Sequence, residues 1–333
     1  MEKILILVNP MARHGEMQSR WEKQKGIVLA LLGSKFHGVS IDVKMTSPED
    51  HGEGIVREAL KTGTTRVVVV GGDGTISEAL QGFFEDHKPV NPEACLMVFP
   101  AGRGDDFLKT LVGERFFGSE AGWQAAISLV RKGKEKPTDV AEMEFRGADA
   151  TVLGSRYFAN VVSFAYGGLV VDRVHRARSE WDRMLNQTGL AYAIQTLMGI
   201  KEYSSLPMKV RVDGNDFFEG KVLAGFVLNG RYHGGGVCWD SKAVIDDGLL
   251  NLVLVEPLSA FAIARSLPML AQGVLKGIPG IHHIKGSSLE IMRTGGGDLS
   301  FPLFEIDGDQ PEPKATCGAV FKAMPEAVKV WRK

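Results

Sequence analysis

The chain has 333 residues, 44% of them hydrophobic and 24% charged, with a formal net charge of −1. That length exceeds what a single core usually serves and predicts two domains; the balanced charge excludes the basic footprint that nucleic acid requires, so no nucleic-acid partner is expected. Cys95, Cys238 and Cys317 stand far apart, which excludes a disulfide scaffold or a cysteine zinc site of ordinary spacing and fits a reducing cytoplasm.

The first apolar run, at 4–8, reads as a buried strand and is too short for a signal-peptide core. The loop Asn9-Pro10-Met11-Ala12-Arg13-His14-Gly15 follows, then a helical pattern over 18–32 and an alternating strand over 39–45. Ser47-Pro48-Glu49-Asp50 predicts a helix start, with Ser47 as N-cap and Pro48 in the first turn. Next come a strand at 66–70, a helix at 76–84, a strand at 95–99 and helices at 105–111 and 123–131. Strands alternating with helices predict a doubly wound α/β domain over 1–136, whose ligands sit at the carboxyl ends of its strands. The loops after Val8, Val70 and Phe99 all lie at such ends.

Around Lys132-Gly133-Lys134-Glu135-Lys136-Pro137 the texture changes. Short β-rich segments at 157–164, 208–212, 221–228, 249–255, 288–291 and 301–306, with turns such as Asp213-Gly214, predict an antiparallel β-sandwich over 137–319. Helical insertions are expected near 179–199 and 259–276, and 320–333 is expected to rejoin the first domain. No stretch reaches about 18 apolar residues, so no transmembrane segment is expected and the protein is at most a peripheral visitor to a membrane.

Three loops carry the chemistry. In Gly71-Gly72-Asp73-Gly74-Thr75 the glycines admit a close approach by phosphate, and the helix that follows offers unpaired N–H groups. The motif lacks a Walker lysine, and a carboxylate among phosphates calls for an intervening cation, so Asp73 points to Mg²⁺; the alternative is a tight turn with Asp73 capping the helix. Pro100-Ala101-Gly102-Arg103-Gly104-Asp105-Asp106-Phe107 repeats the pattern, with Arg103 as a phosphate fork and Asp105 or Asp106 as cap or water-mediated metal partner. Glu305-Ile306-Asp307-Gly308-Asp309 is either a turn or a pair of carboxylates placed to take a hydroxyl proton.

In that order, Asn9-Pro10, GGDGT at 71–75, P-x-G-x-x-x-D-F at 100–107 and Asp307-Gly308-Asp309 resemble the diacylglycerol kinase catalytic family, which includes bacterial lipid kinases, sphingosine kinases and ceramide kinases. RYFANVVSFAYGG at 156–168 and the segment 229–259 extend the likeness over almost the whole chain. The resemblance implies an ATP site in a cleft between an α/β domain and a β-sandwich. Asn9, Thr46, Gly71, Gly72, Asp73, Gly74, Thr75, Gly102, Arg103 and Asp106 would contact nucleotide, and Asp73, Asp106 and Asp139 would organise Mg²⁺. Asp307 would be the general base, with Asp309 where the family usually has Glu. Val244, Asp247 and Leu249 match a secondary metal site, the apolar pair through backbone carbonyls. Arg103 replaces the family's Thr and Asp105 its Asn, which puts the usual nucleotide contact in question.

A lipid acceptor presented at a membrane surface is therefore the expected partner. Phe261, Leu267, Met269 and Leu270 beside Arg265 and Lys276 offer a surface that could dip into it, or else cover the sandwich or a partner in a homodimer; Pro268 interrupts them. Arg173, Arg176, Arg178 and Arg183 give either a headgroup contact or a solvated helix face. His282-His283 reads as surface or turn. Two rival readings share the GGDGT loop: a small-molecule kinase of the NAD kinase or phosphofructokinase type, and a non-catalytic relative.

Overall fold

The computed structural model describes residues 2–13, 15–102, 104–116, 118–166, 205–259, 262, 265, 269, 274, 277–295, 304–308 and 316–333. Two compact units emerge, Met1–Thr138 with Glu326–Lys333, and Asp139–Pro325.

The first unit runs β1 (Glu2–Val8), α1 (Glu16–Lys35), β2 (Val39–Met45), α2 (Gly52–Lys61), β3 (Arg66–Gly71), α3 (Asp73–Gln81), the small hairpin β4 (Phe84–Glu85) and β5 (Lys88–Pro89), β6 (Cys95–Pro100), α4 (Asp106–Val112) and α5 (Ser119–Lys132). Its sheet is parallel in the order β2-β1-β3-β6, and Lys329 and Val330 of the chain's last strand pair with Cys95 and Leu96. Val67 to Val70 are wholly buried, as strands covered on both faces by helices must be. Register aligns Val8 with Val70 and Gly71 with Pro100, so three loops leave the sheet at one edge. One helix start differs from the sequence expectation. Ser47 Oγ accepts the N–H groups of Glu49 (3.3 Å) and Asp50 (3.1 Å) and closes a turn, so α2 begins only at Gly52.

The second unit contains β7 (Lys134–Arg146, whose first residues belong to the first unit), β8 (Val152–Phe158), β9 (Val161–Ala165), β10 (Leu206–Val212), β11 (Asn215–Val222), β12 (Ala224–Leu228), the hairpin β13 (Tyr232–His233) and β14 (Val237–Cys238), β15 (Leu250–Val255), β16 (Ile281–Gly286), β17 (Ser288–Arg293), β18 (Glu305–Ile306) and β19 (Gly318–Arg332). One antiparallel sheet has the order β16-β15-β12-β9-β18; β11-β10-β17-β19, with β7 and β8 alongside, form the facing layer. A common core of Phe145, Phe158, Phe164, Phe304, Phe321 and Leu250 joins the layers. This is the expected α/β plus antiparallel sandwich architecture.

Two expected single strands are each broken in two, 157–164 at Ala159–Asn160 and 221–228 at Leu223. His282 and His283 are strand residues of β16, where His283 Nε2 lies 3.1 Å from Asp240 Oδ2. The expected helices near 179–199 and most of 259–276, and the basic segment 173–183, lie outside the described residues. Among the described residues no helix is long and apolar enough to cross a membrane.

Gly225 shows how tightly the sandwich closes, because a Cβ there would stand 1.9 Å from Phe164 Cζ. Gly225→Ala is expected to destabilise the protein by about 2 kcal/mol or more through overpacking, read as a lower urea midpoint at unchanged slope.

Candidate active site

In the first unit, sterics bring two glycine loops together. A Cβ on Gly72 would lie 2.9 Å from the Gly102 Cα, so only glycines let these backbones meet. Gly71 is required for a different reason. Thr75 folds back over it, and an added Cβ would come within 2.4 Å of Thr75 Cβ. Thr75 Oγ1 accepts from Asn9 Nδ2 at 2.9 Å, tying the loop after β1 to the loop after β3. Thr46 closes the edge of this group, its N–H donating to Val8 O at 2.9 Å.

The helix α3 begins at Asp73, so Gly74 and Thr75 sit in its first turn rather than ahead of it. Asp73 does not cap its own helix. Its Oδ2 accepts the Asp106 N–H (3.1 Å) and its Oδ1 the Phe107 N–H (3.0 Å), capping α4 from a neighbouring element. Asp105, in left-handed backbone at φ 50°, accepts the Gly102 N–H through Oδ1 at 2.7 Å. The carboxylate that replaces the family's Asn therefore braces the loop. Arg13 Nε adds a bond to Gly102 O at 2.8 Å.

Three carboxylates thus crowd one place. Burial, then the charges of Asp106 and Asp105, push the Asp73 carboxyl up to about 8 despite its two N–H donors. Burial raises Asp105 to about 6, against the Gly102 N–H, Arg13 and Lys109. Lys109, buried and 3.2 Å from Asp106 Oδ1, also donates to Gly104 O at 2.5 Å. Lys109 is a site residue that no motif marks; the signal for it in the sequence is its spacing of three residues from Asp106 on a helix. A Cβ on Gly104 would meet Asp106 Oδ2 at 3.0 Å and Asp73 Oδ2 at 3.3 Å, so two carboxylate oxygens flank that backbone gap. Arg103 lies outside the described residues.

In the second unit, Asp307 follows β18 in left-handed backbone at φ 50° and is buried. Its Oδ2 accepts the Ala159 N–H (2.7 Å), and its Oδ1 accepts those of Asn160 (3.0 Å) and Val161 (2.7 Å). These bonds occur where the expected strand 157–164 breaks; N–H groups turned toward Asp307 cannot also serve a ladder. Burial dominates nevertheless and, with the Glu305 charge, pushes the Asp307 carboxyl up to about 7. Asp309 lies outside the described residues.

Asp139 belongs with the 244–249 loop. Its Oδ2 accepts the Gly248 N–H at 2.7 Å and its own N–H donates to Ile245 O at 2.8 Å. Asp247 accepts the Leu249 N–H through Oδ1 (3.1 Å) and pairs with Lys285 through Oδ2 (3.0 Å); Val244 and Leu249 are half-buried beside it. Among the described residues, no three His, Cys, Asp or Glu side chains converge as a ready-made metal site.

The class of protein these elements define is a two-domain one, an α/β unit whose glycine loops meet at the carboxyl ends of its parallel strands and a β-sandwich that carries a buried carboxylate. The profile of the diacylglycerol kinase catalytic domain matches residues 3–143, and that of the YegS C-terminal NAD kinase beta sandwich-like domain matches 160–332. The chain belongs to the diacylglycerol kinase catalytic family. A protein of Xanthomonas oryzae pv. oryzae named "Probable lipid kinase YegS-like" is 30% identical over 71% of this chain and 70% of its own. A Mycobacterium tuberculosis protein named diacylglycerol kinase is 25% identical over 99% of this chain and 95% of its own. The same fold occurs in a solved diacylglycerol kinase structure from Bacillus anthracis str. Sterne, with TM-score 0.63 and 19% identity over 100% of this chain and 97% of that one.

Proposed function

We propose that this lipid kinase homologue transfers the γ-phosphate of ATP to the hydroxyl of a lipid, with Asp307 as general base. The observation that carries the reading is the Asp307 carboxylate, aimed by three backbone N–H groups and pushed up to about 7, where a base can both accept and release a proton at neutral pH. A carboxylate has about four lone-pair sites, so three N–H donors leave one for a substrate hydroxyl. In the transfer, the lipid oxygen bonds the γ-phosphorus as the bridging P–O bond to ADP breaks, and the hydroxyl proton passes to Asp307.

The nucleotide is assigned to the first unit. The Gly71–Gly74 backbone and the amino end of α3 face phosphate oxygens, Asn9 and Thr75 hold that loop, and Thr46 and Gly102 line its edge. Mg²⁺ fits the donor set there: Asp73 and Asp106 present carboxylate oxygens at the Gly104 gap, and a site with few protein ligands is what an ion sharing substrate phosphates needs. Bound there, Mg²⁺ would neutralise charge developing on the phosphates. Asp139 and the Val244–Asp247–Leu249 loop suit a separate structural role. The acceptor is assigned as diacylglycerol or a sphingoid or ceramide-like lipid, met by a cytoplasmic protein at a membrane surface.

The test is a kinase assay with labelled ATP and Mg²⁺ over dioleoylglycerol, sphingosine, ceramide and phosphatidylglycerol in mixed micelles, with NAD⁺ as a soluble acceptor. Label in extracted lipid is expected. Label only in NAD⁺ would transfer the reading to the small-molecule kinases, and label in neither would end it.

A further inference from the structure

Glu305 stands two residues before Asp307 and is completely buried. A carboxylate so placed is costly unless donors surround it. Three do. Ser163 Oγ donates to Oε2 at 2.7 Å, the Gly308 N–H donates to Oε1 at 2.5 Å, and His233 Nε2 lies 3.1 Å from Oε2. The His233 contact has ion-pair distance without hydrogen-bond alignment, and its Nε2 has no other partner among the described residues.

These contacts converge on the turn that carries Asp307. Left-handed backbone is uncommon for a residue with a Cβ, although Asp adopts it more readily than most, and at Asp307 it is anchored on both sides. On one side, the Asp307 N–H donates to Val161 O at 3.0 Å. On the other, the next N–H, that of Gly308, is held by Glu305. Both anchors lead back to β9, which supplies Val161 and Ser163 from one strand. The same strand end supplies the N–H of Val161 that aims the Asp307 carboxylate.

We infer that Glu305, held by Ser163 and His233, is a positioning residue that fixes the Asp307–Gly308 turn and so directs the Asp307 carboxylate toward the acceptor hydroxyl. This rests on the reading of Asp307 as base. Glu305 does not touch substrate; it acts through the Gly308 N–H and through its charge, which is one of the causes holding the Asp307 carboxyl high. The ionisable groups brought to this turn are Glu305 and Asp307 from the end of β18 and His233 from β13. The ion pair of His283 and Asp240 closes the same row of the sheet, which runs Glu305, Ser163, Phe226, Val253, His283.

The experiment compares wild type, Glu305→Gln, Glu305→Ala and Asp307→Asn as full chains, with whichever acceptor of the lipid panel takes phosphate, over pH 5–9. Glu305→Gln preserves volume and an acceptor for Gly308, so the turn persists but the charge is gone. Its kcat is expected to fall about 10-fold with the KM for ATP unchanged, and the acid limb of kcat/KM to move to lower pH. Glu305→Ala frees the Gly308 N–H and is expected to lose about 100-fold in kcat, the cost of a base displaced on the ångström scale. Circular dichroism normalises both to folded protein. A merely structural glutamate would lower the melting temperature and leave kcat per folded molecule and the acid limb where they were; that result overturns the inference. Should Asp307→Asn be inactive while Glu305→Gln behaves as wild type, the inference alone fails. Full turnover by Asp307→Asn, or no acceptor among the panel, removes the base or kinase reading and the inference with it.

Discussion

Asp307→Asn is expected to reduce kcat by about 10²–10⁴-fold, the usual worth of a general base, while the KM for ATP stays within a factor of two. The variant is nearly isosteric, yet it cannot accept a proton. In wild type, activity should rise with pH through about 7, because burial and the Glu305 charge keep the Asp307 carboxyl protonated below that point. The same shift predicts a stability signature that needs no substrate. A carboxyl raised in the folded state from an ordinary 3.8 favours folding while protonated, and that contribution is lost as pH rises from about 4 through about 7. Asp307→Asn should remove this share of the decline, so the melting temperature of the variant should fall less between pH 4 and 8. Against this, Asn cannot accept all three N–H groups. An amide NH₂ facing the Ala159 or the Asn160 and Val161 donors should cost about 1–3 kcal/mol at low pH. Thermal melts of both proteins across that range, with initial rates on the same samples, separate the two effects.

The contrast between what was readable in the sequence and what was not follows the range of the forces involved. Gly71, Gly72 and Gly102 were readable because a glycine next to a strand end reports a local steric demand, and the contacts at 2.4–2.9 Å are that demand. The run Val67–Val70 announced a doubly covered strand for the same local reason. Ser47 misled because a hydroxyl two residues before a free N–H serves a turn as well as a helix, and the next residues decide between them. Asp73 was readable as a carboxylate that needs a partner. That its partners would be the Asp106 and Phe107 N–H groups, more than thirty residues on, depends on β3 and β6 lying side by side. The break at Ala159–Asn160 was invisible for the same reason, since its cause, Asp307, sits about 150 residues away. Glu305 opens the acidic run 305–309 but nothing local there signals its partners, and His233 carried no local pattern at all. Their meeting is set by the sheet, and a lone His in a strand ordinarily signals nothing more than packing.

Asp73→Asn is expected to cost at least about 100-fold in kcat and to abolish most of the stabilisation that Mg²⁺ and nucleotide give together. Without a cation, the folded protein must hold Asp73 beside Asp105 and Asp106, and burial with those two charges pushes its carboxyl up to about 8. The protonated group supports folding below an unfolded value of 3.8, and that support disappears as pH rises through about 8. Above pH 8 the ionised Asp73 adds a like charge beside Asp105 and Asp106, of which Asp106 is paired with Lys109, and a cation entering there relieves it. Magnesium with ATP should therefore raise the melting temperature of wild type more at pH 8.5 than at pH 6. In Asp73→Asn both the pH-dependent loss and its rescue should shrink, because the amide neither ionises nor ligates strongly. The cap on α4 is the competing effect: the asparagine oxygen can still accept one N–H of Asp106 or Phe107, and losing the other should lower stability by about 1 kcal/mol at pH 6. Equal rescue of both proteins by Mg²⁺ and ATP at pH 8.5 would mean that Asp73 is only a cap. A selective loss of rescue in the variant, with kcat falling alongside it, is the result that a cation site at the Gly104 gap demands.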